Sequence, residues 1–132
     1  MEKRILISLH RQGMDAPGEN KYLKMLKDLA VYRGYSVDTA ETEQDTVEKA
    51  ASQEYSHCVL EANLGRPGSA DVSPTIKIYS MMKQRIDAGL TKFVAVSGNE
   101  EAVRAVRKAG IPAEEKSTLI PKFVEFLREQ SL

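Results

Sequence analysis

The sequence predicts an α/β domain in which a five-stranded parallel sheet carries helices on both faces. Short runs of β-branched and other apolar residues alternate with amphipathic segments at helical spacing, which is the pattern of strands that alternate with helices. The apolar runs are nearly continuous, as expected of strands covered on both sides. The 132 residues are expected to form a single domain, 1–132, large enough to bury a core without disulfides or metal ions.

The strands follow from the apolar runs. They are predicted at residues 4–9, 35–39, 57–62, 92–97 and 112–115, and the last of these runs is the shortest. Each run is four to six residues long, which is within the ordinary range for strands of a buried parallel sheet.

Start and stop signals define the first three helices. The first is predicted at 20–33 and the second at 43–53. The third begins at Ser73 and Pro74, because proline is tolerated at the first helical position, and it ends before Gly89. Its apolar stripe is expected to face the sheet and consists of Ile76, Tyr79, Met82 and Ile86. Met81, which is adjacent to this stripe, is also interpreted as a core residue.

The fourth and fifth helices carry equally clear signals. Asn99 can accept hydrogen bonds from the free N–H groups at the start of the fourth helix, and Gly110 closes that helix. The apolar stripe of the fifth helix consists of Ile120, Phe123, Val124 and Leu127.

Composition excludes several classes of partner. Nineteen basic and nineteen acidic side chains give a formal net charge of zero, so no global field favours a nucleic acid or an anionic membrane. No apolar run approaches membrane-spanning length. The single cysteine, Cys58, cannot form an intramolecular disulfide, and the first residues lack the layout of a signal peptide. The protein is therefore expected to be cytoplasmic, with neither nucleic acid nor membrane as a partner.

Two loops rich in turn-forming residues mark the expected functional edge. Residues 10–19 follow the first strand and residues 65–73 follow the third. Ligands of open parallel sheets bind outside the carboxyl ends of the strands. The same edge receives Glu61, Ser97 and Lys116.

The order of elements and the residues at the strand ends resemble the receiver domain of bacterial response regulators over nearly the whole chain. Three segments carry the resemblance: 57–65, 93–110 and 115–117. It implies a flavodoxin-like three-layer sandwich with strand order 2-1-3-4-5.

The resemblance also implies a set of site positions. Receivers take a phosphoryl group on an aspartate at the end of the third strand, and two acidic residues at the end of the first strand hold a divalent metal. In this sequence the aspartate position falls on Glu61, and the acidic pair falls on Leu9 and His10. Ser97 matches the hydroxyl position, and Lys116 matches the lysine that contacts the phosphoryl group.

Further positions depart from the family pattern. Ala113 or a neighbour stands where receivers have an aromatic switch residue, and Ser117 stands where they have a proline. The loop after the first strand is longer than usual, and its acids, Asp15 and Glu19, could fold back toward the site.

These departures predict that phosphoryl transfer to the end of the third strand is abolished or very weak. Forming an acyl phosphate requires a positioned carboxylate and a cation that neutralises the phosphoryl oxygens. Glu61 adds a methylene, and without two acidic ligands Mg²⁺ is held poorly. We therefore expect no bound metal, no cofactor and no catalytic residue.

Several residues keep two interpretations. Glu61 is either a solvated strand end or the partner of Lys116 in an ion pair, which would contribute at most about 1 kcal/mol at a partly exposed edge. Ser97 serves either helix entry or binding, and Lys116 is either a surface lysine or a site residue. His10 could act as a base or ligand, but no second histidine or cysteine is spaced to join it.

Three more features are interpreted as structural. His57 opens a strand, and Cys58 lies inside an apolar run, where a thiol behaves as a small hydrophobe. The segment 65–69 fits no phosphate-binding pattern and is expected to be a turn.

The sequence is compatible with three functions. The first is a degenerate receiver that binds a protein partner or itself, through the fourth helix, the fifth strand and the fifth helix. The second is an active phosphoacceptor with altered geometry that uses Asp15, Glu19 or Glu61. The third is a small flavodoxin-like enzyme or ligand-binding protein. For the first, charge reversal at Arg104 and Arg107 is expected to weaken association without loss of stability.

Overall fold

A computed structural model describes residues 3–10 and 21–128 of the chain. Strands and helices alternate throughout this part. The strands are β1 (Arg4–Ser8), β2 (Ser36–Ala40), β3 (His57–Glu61), β4 (Lys92–Ser97) and β5 (Ala113–Glu115). The helices are α1 (Lys21–Tyr32), α2 (Glu43–Ser52), α3 (Ser73–Asp87), α4 (Glu100–Lys108) and α5 (Lys116–Leu127).

The five strands form one parallel sheet in the order β2-β1-β3-β4-β5. This arrangement confirms the predicted flavodoxin-like α/β fold and its strand order. β3 lies at the centre, between β1 and β4, so the residues that follow these three strands meet at one edge of the sheet.

Two apolar clusters cover the two faces of the sheet. One cluster includes Leu6, Cys58 and Phe93 and packs against α2, α3 and α4. The other includes Ile7 and Val94 and packs against α1 and α5. Alternate residues of each strand point to opposite faces, so a run such as 92–97 is buried on both sides.

The predicted helix signals agree with the structure. The side chain of Asn99 accepts hydrogen bonds from the backbone N–H groups of Glu101 and Ala102, and Gly110 follows α4 with a φ of +84°. That left-handed conformation is accessible to glycine without strain. The sequence analysis missed Thr42, whose hydroxyl caps α2 by accepting from the Asp45 N–H.

Two local expectations were wrong. Met81 is exposed, while Met82, the next residue along α3, is buried, because successive residues of a helix lie about 100° apart. β5 begins at Ala113 rather than at residue 112, because Pro112 has no N–H to contribute to the ladder. In the described residues, no helix has the length and apolar character needed to cross a membrane.

Candidate functional site at the carboxyl edge of the sheet

A buried carboxylate lies at the centre of the carboxyl edge. Glu61 ends β3 and its side chain is only 2% exposed. Its Oε1 lies 2.8 Å from the Nζ atom of Lys116, the first residue of α5, and also accepts a hydrogen bond of 3.2 Å from the backbone N–H of His10. The structure thus contains the ion pair that the sequence suggested, but its acidic partner is buried rather than partly exposed.

Hydrogen bonds from α3 and β4 fix the backbone around Glu61. The hydroxyl of Thr75 in α3 donates a 2.6 Å hydrogen bond to the Glu61 carbonyl. The N–H of Ala62 donates to the carbonyl of Val96 in β4. These bonds keep the end of β3 aligned with β4. The backbone from which the Glu61 side chain extends is therefore fixed in position.

The imidazole of His10 connects β1 to the loop after β3. The backbone N–H of Gly65 donates to His10 Nε2 at 3.0 Å, so Nε2 carries no proton and the neutral ring is protonated on Nδ1. Nδ1 lies 3.9 Å from Glu61 Oε1. Burial lowers the pKa of His10, as does the nearby Lys116 ammonium, while the Glu61 carboxylate opposes this shift. The neutral ring leaves Lys116 as the cation that balances Glu61.

Tyr22 in α1 is a member of the site that sequence reasoning missed. Its hydroxyl donates to the Lys116 carbonyl at 2.9 Å, and the Lys116 ammonium lies 5.5 Å from the centre of its ring. Burial and the nearby Glu61 carboxylate raise the pKa of Tyr22. The ammonium of Lys116 therefore lies between a carboxylate and an aromatic face, which restricts its position.

Ser97 takes part in helix entry rather than in the ion pair. It is buried, and its Oγ accepts a 3.0 Å hydrogen bond from the backbone N–H of Asn99, just before α4. Among the described residues, no hydrogen bond joins Ser97 to Glu61 or Lys116. The contact to Asn99 favours the helix-entry interpretation of Ser97.

The two positions of the lost acidic pair differ in environment. Leu9 is 1% exposed and packs in the core beneath α1 and α5, whereas His10 faces Glu61. Within residues 3–10 and 21–128, no group of three or more His, Cys, Asp or Glu side chains is arranged to hold a metal ion. Asp15 and Glu19 lie outside the described residues.

Sequence reasoning also missed a buried pair of hydroxyl groups, those of Ser8 and Thr46. Thr46 in α2 donates to the Thr42 carbonyl at 2.6 Å, so the 2.6 Å bond between Thr46 and Ser8 must have Ser8 as its donor. The pair ties the end of β1 to α2. The pattern of apolar residues assigns Ser8 to a strand, but it cannot identify a hydrogen-bond partner 38 residues away in the sequence.

The residues interpreted as structural agree with that interpretation. Cys58 is fully buried, and burial raises the pKa of its thiol. His57 is buried between the rings of Tyr35 and Phe126, with ring centres 5.1 and 5.2 Å away. The segment after Asn63 forms turns, as predicted, and the Asn63 side chain donates to the carbonyls of residues 66 and 69.

Known proteins resemble this chain in fold. No family model and no curated protein matches it. A response regulator from Burkholderia pseudomallei, solved with a phosphorylated aspartic acid, a calcium ion and citrate, aligns over 96% of this chain and 67% of its own, with a TM-score of 0.67 and 15% identity.

Two other solved structures give the same result. A CheY-like receiver domain protein from Methanospirillum hungatei aligns over 96% of this chain and 94% of its own, with a TM-score of 0.61 and 23% identity. The response regulator RcsB from Salmonella typhimurium aligns over 95% of this chain, which spans 58% of the RcsB chain, with a TM-score of 0.61 and 9% identity. The fold of this chain is that of response regulator receiver domains.

Proposed function

We propose that the chain is a receiver-like signalling module that binds a protein partner or a second copy of itself and is not phosphorylated on Glu61. The observation that carries this proposal is the 2.8 Å ion pair between Glu61 and Lys116. The resemblance assigns to Lys116 the contact with a phosphoryl group. In this chain the Glu61 carboxylate already forms an ion pair with the Lys116 ammonium.

The surroundings of Glu61 also disfavour phosphoryl transfer. Oε1 is engaged by Lys116 and by the His10 N–H, and a nucleophile that gives up a short ion pair loses electrostatic stabilisation before it reacts. The side chains at the positions of the acidic pair, Leu9 and His10, contribute no anion. Mg²⁺ needs carboxylate or phosphate ligands to displace its tightly held waters.

The proposed contact surface is formed by α4, β5 and α5, and its support is the resemblance in fold. α4 offers exposed charge on its outer side, including Arg104 and Lys108, while Ala102, Val103 and Val106 are buried. The proposal includes no enzymatic activity and no cofactor.

The decisive experiment is intact mass spectrometry after incubation with acetyl phosphate and Mg²⁺. We expect the chain to keep its mass. A matched variant, His10→Asp with Glu61→Asp, returns a carboxylate to one metal position and an aspartate to the acceptor position, and it should gain mass in the same reaction. A base-labile adduct of one phosphoryl group on the unmodified chain in good yield would contradict the proposal and favour the active phosphoacceptor.

A further inference from the structure

The backbone of Phe93 in β4 points away from the centre of the sheet. The Ala95 N–H donates to the Pro112 carbonyl on the outer side of β4, whereas the Lys92 N–H donates to the Ser56 carbonyl on the β3 side. Because the backbone groups of successive strand residues point to opposite sides, the N–H and C=O of Phe93 point outward, as those of Ala95 do. β5 and Pro112 cover the outer side of β4 from Ala95 onward, so Phe93 is the residue that they leave uncovered.

The outward N–H and C=O of Phe93 are buried without a hydrogen bond. Phe93 is 4% exposed, and within residues 3–10 and 21–128 no hydrogen bond reaches either group. Pro112, the nearest residue before β5, has no N–H to donate. Buried polar groups of the backbone are normally paired. A donor and an acceptor therefore stand side by side, ready for a molecule with the complementary pair.

A cavity of about 450 Å³ adjoins this residue, and we call it the β4-edge cavity. Its volume lies within the range of sites for small molecules. Ile86 of α3 lines it on one face of the sheet, and Leu119 and Phe126 of α5 line it on the other. Water needs several polar partners to be held in a cavity. These apolar walls instead favour an occupant that is itself largely apolar.

Four charged side chains surround the cavity, and their charges balance. Glu114 is paired with Lys122 at 3.1 Å. Burial lowers the pKa of Lys92, and the nearby Glu125 carboxylate opposes this shift. An ionic ligand would compete with one member of each pair and leave its partner uncompensated, which is costly at a partly buried position. The cavity therefore fits an uncharged molecule.

We propose that the β4-edge cavity binds a small uncharged molecule with an aromatic body and a cis-amide edge. The amide N–H donates to the Phe93 carbonyl, and the amide oxygen accepts from the Phe93 N–H. A cis-amide presents its donor and acceptor on one side, so it matches the backbone of a single residue. The aromatic body packs between Ile86 and Phe126.

This site is separate from the one at the carboxyl edge. Phe93 lies near the amino end of β4, whereas Glu61 ends β3 at the opposite edge of the sheet. The inference therefore goes beyond the proposed function and does not depend on it. Failure of ligand binding would leave the mass-spectrometric result at Glu61 unchanged, and the converse also holds.

The test uses carbostyril, an uncharged lactam fused to a benzene ring, titrated into ¹⁵N-labelled protein. We expect saturable shifts of the Phe93 amide signal and of its neighbours in the cavity wall. N-methyl carbostyril keeps the rings and the carbonyl but lacks the donor, and it should bind at least about tenfold more weakly, equivalent to about 1.4 kcal/mol. Added salt should leave the affinity unchanged, because an uncharged ligand forms no ion pair for salt to screen.

Protein variants separate binding in the cavity from adhesion to the surface. Ile86→Trp should abolish binding by filling the cavity. Met81→Trp makes a similar change on the exposed side of the same helix and should leave the affinity unchanged. Each variant is first checked for an unchanged thermal midpoint. The comparison of the two lactams uses the unmodified chain, so it does not depend on the folding of either variant.

Four outcomes would overturn the proposal. The first is absence of saturable shifts at Phe93. The second is equal affinity for carbostyril and its N-methyl derivative, since the Phe93 carbonyl would then take no part. The third is an affinity that falls as salt is added, which would indicate recognition of charge. The fourth is full binding to a folded Ile86→Trp variant, which would place the ligand elsewhere.

Discussion

Glu61 determines the electrostatics of the carboxyl edge because it is charged and almost fully buried. A carboxylate at 2% exposure requires a compensating cation, and Lys116, at 20% exposure, is placed 2.8 Å away. The expectation of at most about 1 kcal/mol assumed a partly exposed pair. For a buried pair, removing one partner leaves an uncompensated charge, and the loss is larger.

We therefore expect Lys116→Met to lower the free energy of unfolding by about 3 kcal/mol. Glu61→Gln should cost less, because the amide oxygen still accepts from the His10 N–H and no buried charge remains. The double variant should lose less than the sum of the two. Urea unfolding of all four proteins measures the coupling, with Lys122→Met, whose ion pair is exposed, as the control. Additive losses would show that the two side chains do not interact.

His57 makes stability depend on pH. Burial, together with the ammonium groups of Lys92 and Lys3, lowers the pKa of His57 from 6.5 to about 4, although a hydrogen bond with the Phe126 backbone opposes the shift. Its Nδ1 is bonded to the hydroxyl of Ser56 at 2.9 Å, and the backbone of Phe126 favours the protonated ring without outweighing burial. Protonation would place a charge in a buried position between two aromatic rings, beside the ammonium groups of Lys92 and Lys3.

Because the folded pKa lies below the unfolded value, His57 contributes stability above pH 6.5 that is lost as the pH falls toward 4. The shift corresponds to about 3 kcal/mol in total, of which about 2 kcal/mol is lost by pH 5. Unfolding free energies at pH 7 and pH 5 should show this decline, and His57→Phe should reduce it by that amount. An equal decline in the variant would mean that other groups titrate in this window.

At the scale of single elements, α4 separates a structural face from an exposed one. Its buried residues pack on the sheet, and its start is capped by Asn99. Arg107 is exposed but also structural, since its Nε donates to the Ala113 carbonyl at 3.0 Å and thereby joins α4 to β5. The expectation that reversal of Arg107 leaves stability unchanged was therefore not consistent with the structure.

The better test of the α4 surface uses Arg104→Glu with Lys108→Glu. Both side chains are exposed, and in the described residues the hydrogen bond from α4 to the Ala113 carbonyl comes from Arg107 and not from either of them. We expect weaker self-association or partner binding with a change in stability below about 0.5 kcal/mol, as is usual for surface substitutions. Sedimentation equilibrium and thermal unfolding measure the two quantities. Association that survives both reversals would place the contact on another surface.

At the scale of the whole molecule, the chain combines the receiver fold with a site that contains its own counter-ion. Helices pack on both faces of the sheet, and Glu61, Lys116 and His10 lie together at the carboxyl ends of the strands. Under the proposed function, a domain of this kind holds one state without a ligand.

We accordingly predict that millimolar Mg²⁺ does not raise the thermal midpoint of unfolding. A ligand stabilises a protein only when it binds the native state preferentially, and the described residues contain no cluster of metal-binding side chains. The His10→Asp, Glu61→Asp variant should show a rise under the same conditions. A concentration-dependent rise in the unmodified chain would indicate a site that includes Asp15 or Glu19.

The order of elements, the parallel sheet and the helix ends at Asn99 and Gly110 could be predicted from the sequence, because they depend on local periodicity and on short-range hydrogen bonds. The meeting of Glu61 and Lys116 could also be predicted, since parallel topology brings strand ends to one edge. Only the tertiary structure revealed that Glu61 is buried and that Tyr22 contacts Lys116 from 94 residues away. These features depend on how distant elements pack, and local periodicity carries no information about that packing.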